Sequence, residues 1–306
     1  MQANFFGAGA NNASMVPNAQ DGIYVGGTSA GVQVGGVIPL GNVSAGNGRD
    51  GIRVAGTASG FTTFNTFGGL YAFQGAAPNQ GNGITIDSTG LNNLIRTNVM
   101  SGNIGNGIEL TANATGVTVD PNVVGLNTEG TGVLTGTSAS GGFGNGGSGV
   151  KVSGSGNYIG GYNGSVIPQN TFSGNRRYGV EIAAGASGNY VFNASIGLAT
   201  TLKTGTGFGN GLGGILIAGT NNYVQAYNAT PTTYTGTLIP AYISGNTGNG
   251  ITLTGSGNTV NGNYFGYAAL GIGGIPLPNQ ACNTGVSISG AVGNSVSANN
   301  TGTCTP

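Results

Sequence analysis

Residues 246–253 read Asn-Thr-Gly-Asn-Gly-Ile-Thr-Leu, and residues 175–182 read Asn-Arg-Arg-Tyr-Gly-Val-Glu-Ile. Each stretch has an asparagine, three variable residues, a glycine, and then two apolar residues separated by one variable residue. The glycine half recurs nine times, and in eight copies an asparagine stands four residues before the glycine. Such regular recurrence predicts a solenoid with one coil per repeat. The anchor glycines are Gly22, Gly51, Gly83, Gly107, Gly149, Gly179, Gly214, Gly250 and Gly285.

The segment after each anchor glycine alternates apolar and polar residues, which is the period of a half-buried strand. Its apolar pair, for example Ile84 and Ile86, is expected to point inwards and to stack on the pairs of neighbouring coils. A second strand is predicted at the recurring Asn-x-apolar pattern, as in residues 157–159, and a third before the next turn, as in residues 170–172. Three strands per coil and about nine coils predict an all-β fold, a triangular parallel β-helix.

The asparagines are expected to lie at a corner of the coil. Asparagine and glycine both tolerate the left-handed backbone that a sharp turn requires. An asparagine amide can also hydrogen-bond to the same amide one coil away, so a stacked column forms a ladder. Only the last copy departs from the pattern, with Ala281. The predicted asparagine ladder comprises Asn18, Asn47, Asn79, Asn103, Asn145, Asn175, Asn210 and Asn246.

The composition limits the partners of this chain. Of 306 residues, 66 are glycine and 5% are charged, with seven basic and seven acidic residues and no histidine. A net charge of zero gives no electrostatic basis for nucleic-acid binding. No apolar stretch is long enough to span a membrane, and residues 1–20 lack the features of a signal peptide. Neutral amides alone are poor metal ligands, so neither a metal nor a cofactor is expected.

The two cysteines, Cys282 and Cys304, are 22 residues apart, close to the length of the shortest coil. Positions one coil apart lie roughly 4.8 Å apart, within the roughly 4.4–6.8 Å that a disulfide requires between Cα atoms. We therefore predict a Cys282–Cys304 bridge that closes the last coil. The alternative is a pair of small buried thiols. A bridge would indicate an oxidising, extracytoplasmic location.

Residues 244–266, which run from Ser-Gly-Asn to Asn-Tyr-Phe-Gly, resemble the repeat of bacterial right-handed parallel β-helix proteins, a group similar in fold to pectate lyases. The resemblance covers roughly residues 20–300 and implies a right-handed β-helix for residues 21–306. Residues 1–20 are then a cap or an assembly segment. The same repeat occurs in lyases, epimerases, adhesins and structural proteins, so it implies a fold more than a function.

The enzymes of this group resemble each other in using clustered carboxylates, often with Ca²⁺, or an arginine, lysine or histidine. Here Asp21, Asp50 and Asp87 are the only carboxylates in neighbouring coils, and Asp87 lies outside the column of the other two. A pair of turn aspartates is interpreted as a substitute in the asparagine ladder. The sequence therefore predicts no catalytic residues and no enzymatic activity.

Two rows of outward residues are expected along the solenoid. Tyr158, Tyr190 and Tyr223 occupy the same place in three coils and should stack, either as a ladder that stiffens the sheet or as a face for glycans or a neighbouring subunit. The other row lies between the apolar pairs, and its charges alternate in sign over three coils. That row is Tyr24, Arg53, Thr85, Glu109, Lys151, Glu181, Leu216, Thr252 and Ser287.

A neutral solenoid with few charges is typical of an extracellular or cell-surface structural element. We expect a filament or matrix-fibre subunit or an adhesin stalk, which forms a homo-oligomer head-to-tail through open coil ends. The alternative is a cell-surface β-helix that binds or processes polysaccharides.

Overall fold

A computed structural model describes residues 1–10, 14–37, 41–71, 74–133, 144–161, 170–199, 208–225, 240–266, 279, 286–297 and 299–301. These residues form a right-handed parallel β-helix with three strands per coil and about nine coils, so the predicted fold is confirmed. Within these ranges, no helix has the length and apolarity needed to cross a membrane. Strands are numbered below in chain order.

The first sheet consists of the strands that follow the anchor glycines. Ile84 pairs in parallel with Ile52 on one side and with Ile108 on the other, and all three side chains are fully buried. The apolar pairs thus stack in register, as expected. The strands are β2 (Ile23–Val25), β5 (Ile52–Gly56), β10 (Ile84–Ser88), β13 (Ile108–Leu110), β16 (Val150–Val152), β19 (Tyr178–Ile182), β22 (Gly213–Ile217), β25 (Ile251–Leu253) and β28 (Val286–Ile288).

The second sheet also has nine parallel strands, and it contributes Ile95, Val119 and Ile159 to the same core. Its strands are β3 (Gln33–Gly35), β6 (Thr62–Phe64), β11 (Leu94–Ile95), β14 (Thr118–Val119), β17 (Tyr158–Ile159), β20 (Tyr190–Val191), β23 (Tyr223–Gln225), β26 (Thr259–Asn261) and β29 (Ser295–Ser297).

The third sheet has ten strands, because Phe5 and Phe6 pair with Val43 and Ser44 and so add a strand before the first full coil. Its strands are β1 (Phe5–Phe6), β4 (Asn42–Ser44), β7 (Thr66–Gly68), β12 (Asn98–Met100), β15 (Asn122–Val124), β18 (Asn170–Phe172), β21 (Ala194–Ile196), β24 (Tyr242–Ile243), β27 (Tyr264–Phe265) and β30 (Asn300–Thr301). A small antiparallel pair, β8 (Leu70–Tyr71) and β9 (Gln74–Ala76), follows β7.

The asparagine ladder is present at the corner before the first sheet. The Nδ2 of Asn145 donates to Oδ1 of Asn175 at 2.8 Å, and that of Asn175 donates to Oδ1 of Asn210 at 3.0 Å. All three are fully buried. The same Oδ1 of Asn210 also accepts from the backbone N–H of Asn175. The ladder therefore satisfies buried donors that would otherwise each cost about 1–3 kcal/mol.

The ladder ends differently from the prediction. Asn246 donates to Asn279 at 2.9 Å, so Asn279 continues the column into the last coil. The residue four before Gly285, Ala281, lies outside the described residues. At the other end, Asn18 is exposed and donates to Asn47 at 2.8 Å.

Two further corners carry asparagine columns, at positions where the sequence pattern predicts only the start of a strand. Before the second sheet, Asn157 donates to Asn189 at 3.1 Å and Asn189 to Asn222 at 3.0 Å. Before the third sheet, Asn98 donates to Asn122 at 3.0 Å. Amide side chains therefore satisfy backbone groups at all three corners.

The coils alternate between two types. Along the sequence, ten to twenty residues separate the third-sheet strand from the next ladder asparagine at residues 7–17, 69–78, 125–144, 197–209 and 266–278, whereas two residues separate them in the coils between. Serine hydrogen bonds, which we call serine clasps, join neighbouring coils of different type. The Oγ of Ser101 donates to the carbonyl of Leu126 at 2.7 Å, and Ser173 donates likewise to Leu198 at 2.8 Å.

The predicted disulfide cannot be placed on this architecture, because Cys282 and Cys304 both lie outside the described residues. The bridge stays a prediction.

Candidate binding face

The outward row of the first sheet has the predicted register. Tyr24 pairs with Arg53, Glu109 with Lys151, and Lys151 with Glu181. Ten of the 14 charged residues of the chain lie on this sheet or in the turns before it, namely Asp21, Arg176 and the eight named below, so charge is concentrated on one side of the solenoid. We call this surface the charged face. It comprises Arg49, Asp50, Arg53, Asp87, Glu109, Lys151, Arg177 and Glu181.

Arg53 links two carboxylates on the charged face. Its guanidinium lies 3.4 Å from Oδ2 of Asp50 and 2.5 Å from Oδ2 of Asp87. Burial raises the pKa of Asp87, but hydrogen bonds from Asn113 and Thr111 and the charge of Arg53 outweigh it, so the net shift is downward. Asp87 therefore stays ionised well into acid, and the arginine is held in a fixed orientation.

Glu109 is the centre of a second group. Its Oε2 accepts hydrogen bonds from Asn82 at 2.9 Å and from Asn106 at 3.1 Å, and its Oε1 lies 3.8 Å from Nζ of Lys151. The two amides fix the carboxylate, while the long lysine contact leaves Oε1 open to a further donor.

A shallow depression of about 300 Å³ lies between these groups. Arg49 and Gln80 are exposed at its rim, and Arg49 donates to Gln20 at 3.2 Å. Charged, amide and hydroxyl groups converge on this one space, which makes the depression the candidate binding site. It is lined by Gly48, Arg49, Asp50, Arg53, Gln80, Gly81, Asn82, Thr85, Glu109 and Thr111.

Asp21 and Asp50 do stack, but they do not substitute in the asparagine ladder. Asp21 accepts from the backbone N–H of Asp50 at 3.0 Å, and Asp50 accepts from that of Asn82 at 2.8 Å. The column continues from Asn82 to Asn106 at 2.7 Å. These residues form a separate row directly before the anchor glycines, and this row makes one wall of the depression.

The same face extends beyond the depression. Ser148 donates to Oε2 of Glu181 at 2.6 Å, and the Nε of Arg177 lies 3.2 Å from that oxygen. Glu181 is 9% exposed, whereas the Arg177 side chain is half exposed. In this pair the carboxylate is held against the sheet and the cation reaches outwards.

The predicted tyrosine stack is present on the second sheet. The ring centroids of Tyr158 and Tyr190 are 5.4 Å apart with the planes at 8°, and those of Tyr190 and Tyr223 are 4.6 Å apart at 11°. The rings therefore cover each other's faces, and a ligand would meet mainly their edges. This geometry favours the interpretation as a stiffening ladder over a glycan face.

A further carboxylate, Asp120, lies away from the charged face, just after β14. It is 9% exposed, and burial raises its pKa to about 6, against a smaller opposite effect of Arg96. The Nδ2 of Asn170 is 3.5 Å from its Oδ1. The pKa of Asp120 is therefore raised, whereas that of Asp87 is lowered.

In the described part of the chain, no group of three or more histidine, cysteine or acidic residues is arranged to hold a metal ion. Between Asp50 and Asp87 the place of a cation is taken by Arg53. The expected absence of a metal or cofactor stays a prediction.

The sequence pattern predicts the row Arg53–Glu109–Lys151 but not the residues that surround it. Arg49, Gln80 and Asn82 stand in the three positions before the anchor glycines, where the repeat is variable. The signal was available, because those positions stack one coil apart for the same reason as the glycines do.

Comparisons with known proteins give fold-level similarity only. No protein-family model matches the chain, and no curated protein matches it. The A-module of Azotobacter vinelandii mannuronan C-5 epimerase AlgE4 is similar at 15% identity with a TM-score of 0.44, over 99% of this chain and 87% of that chain. The A-module of the AlgE6 epimerase from the same organism is similar at 16% identity and a TM-score of 0.44, over 100% and 70%.

These findings correct one prediction. The sequence predicted a protein without enzymatic activity, whereas both similar structures are modules of epimerases. That prediction is wrong, because the absence of activity does not follow from this fold and composition. At this identity the likeness shows the fold alone and assigns no activity to this chain. Nothing in the comparisons supports a filament or an adhesin.

Proposed function

We propose that this protein binds a polysaccharide along the charged face of its β-helix. The observation that carries the proposal is the depression between Arg53 and Glu109, where converging charged and amide groups repeat from coil to coil. A linear polymer of similar units is matched by a surface whose side chains recur roughly every 4.8 Å. From Tyr24 to Lys151 the outward row covers four steps between coils, or roughly 19 Å.

The charge balance of the face favours a neutral polymer. The four cations of the charged face are balanced by its four carboxylates, so neither a polyanion nor a polycation is attracted over distance. Sugar hydroxyls both donate and accept, and they can bond to ionised groups of either sign, which form the stronger hydrogen bonds. Bridging water extends the reach of such contacts.

The proposal is tested by electrophoresis of the purified protein in native gels that contain a single polysaccharide, with neutral glucans, mannans, xylans and galactans compared with polyuronates. We expect retardation by at least one neutral polymer. The double variant Arg49→Ala/Gln80→Ala should lose most of this retardation, because both side chains lie on the rim of the depression. Neither takes part in a buried pair, so the fold should be unaffected.

The matched control is Arg176→Ala/Gln33→Ala, which removes an exposed arginine and an exposed glutamine outside the depression. Equal losses in the two double variants, or no retardation by any neutral polymer, would contradict the proposal. NMR spectra of the same mixtures report whether a bound polymer is also altered, which separates binding from processing.

A filament or adhesin-stalk role is the second candidate, and the end of the solenoid favours it. Ile288 and Val296 in the last coil are 52% and 41% exposed, whereas Leu253 and Val260 one coil earlier are fully buried. Another copy of the chain could cover this end. Light scattering across a concentration series tests this role. A mass that stays monomeric at the highest concentration would exclude it. Extracellular location stays a prediction with either role.

A further inference from the structure

Tyr24 occupies the first place of the outward row on the first sheet. Its environment differs from that of the stacked tyrosines on the second sheet. Its side chain is 63% exposed. The ring leans along its own strand over Gly26, where an added Cβ would lie 2.4 Å from the Tyr24 Cε1 atom. Among the residues that the structure describes, β2 is the edge strand of the sheet, so no strand of that part stacks a side chain on the outer side of the ring.

The position of Tyr24 is continuous with the depression. Tyr24 pairs in register with Arg53, which lines the depression one coil further on. Asp21 accepts from the backbone of Asp50, and Gln20 accepts from Arg49, so the wall of the depression also continues into the first coil. The charged face therefore ends at an exposed aromatic ring.

We propose that Tyr24 is an aromatic platform that stacks on one pyranose ring of a neutral polysaccharide, and this inference rests on the function proposed above. One face of a pyranose carries mainly C–H groups, which pack on an aromatic face, while its hydroxyls point sideways. An aromatic residue with a polar tip suits such a boundary between apolar and hydrated surface. The hydroxyls of the next unit then reach Arg53 and the depression.

A tryptophan in place of Tyr24 gives a direct test, because the chain has no tryptophan of its own. We expect the fluorescence of the Tyr24→Trp variant to change in intensity and to shift to shorter wavelength when the retarding neutral polysaccharide is added. The matched control is Tyr223→Trp, which places the reporter in the stacked row of the second sheet and should not respond.

Affinity provides the second measurement. Tyr24→Ala should weaken binding about tenfold, which corresponds to the loss of about one aromatic contact. Tyr24→Phe should stay within about twofold, since it keeps the ring. The unfolding midpoints of both variants should match that of the parent chain, because the side chain is exposed.

Two results would overturn the inference while the proposed function stands. One is a parent chain that binds the polymer while the fluorescence of the Tyr24→Trp variant stays unchanged, and the other is Tyr24→Ala with the parent affinity. Fluorescence of the Tyr24→Trp variant that follows protein concentration in the absence of polysaccharide would also overturn it, because the ring would then contact a second copy. A parent chain that binds no neutral polymer removes the function itself.

Discussion

The first and second sheets have the same spacing and register, but their outer surfaces use it differently. On the first sheet, opposite charges and amides face one another from coil to coil, as in the group around Glu109. On the second sheet, the rings of Tyr158, Tyr190 and Tyr223 cover one another. The charged row leaves hydrogen-bonding groups open to a ligand, whereas in the tyrosine row each ring face is covered by the neighbouring ring. Stacking in register therefore leaves a surface for the proposed binding on one sheet and favours stiffness on the other.

The largest effect should follow removal of the central ring. Tyr190→Ala loses two stacking contacts of about 0.5–1.5 kcal/mol each as well as buried area, so we expect a loss of about 3 kcal/mol. Lys151→Ala, in the charged row one coil earlier, should cost less than about 1 kcal/mol. Urea unfolding of both variants measures the difference. Similar losses would mean that the two rows contribute alike.

Asp120, at the end of a second-sheet strand, should make the protein less stable as the pH rises. Because its pKa is raised to about 6 in the folded state, the folded protein holds a proton that the unfolded chain releases near pH 4, and stability falls through this window. Asp120→Asn removes the effect and should gain about 2 kcal/mol at pH 7.5. Urea unfolding at pH 4 and pH 7.5 tests it, and a gain that is equal at both values would contradict it.

Asp87, on the charged face, should have the opposite pH dependence. Its pKa is lowered in the folded state. Its contribution to folding stability is therefore complete above the ordinary pKa of an aspartate, and it is lost as the pH falls through the lower pKa of the folded state. Asp87→Asn should cost about 1 kcal/mol at pH 7, as the loss of a partly exposed ion pair does, and much less at an acidic pH below the folded pKa of Asp87. Thermal unfolding at both pH values measures this. A cost that persists in acid would show that charge is not its cause.

The smallest effect concerns the pair Glu109–Lys151. Its 3.8 Å contact is partly exposed, so a double-mutant cycle with Glu109→Gln and Lys151→Met should give a coupling of about 0.5 kcal/mol. The coupling should vanish in 1 M salt. A coupling that resists salt would mean that this pair belongs to the rigid part of the face.

The sequence predicted the fold because each coil repeats the same local requirements. The anchor glycine, the apolar pair and the corner asparagine each satisfy a constraint within one coil, so Asn145, Asn175 and Asn210 could be aligned by spacing alone. Asn279 was missed because it lies six residues before the last anchor glycine, Gly285, whereas the other ladder asparagines lie four before theirs. The pair Pro278-Asn279, which matches Pro78-Asn79, was the available signal.

The site was less predictable than the fold. Arg53 and Glu109 were placed correctly on one outer row, but the approach of Asp50 and Asp87 to Arg53 depends on side-chain reach across coils. Sequence periodicity gives the column of a residue and not the direction of a long side chain. For the same reason, the exposure of Tyr24 could not be distinguished from the mutual covering of Tyr190 and Tyr223.

The serine clasps between unlike coils have a consequence for how this chain can change length. Ser101 and Ser173 each hold the start of the long connection in the following coil. Removing a single coil would place two coils of the same type in contact, and a clasp would lose its counterpart. We therefore expect lengthening or shortening to be tolerated better in pairs of coils than in single coils, which would make a doublet the unit for engineering this chain.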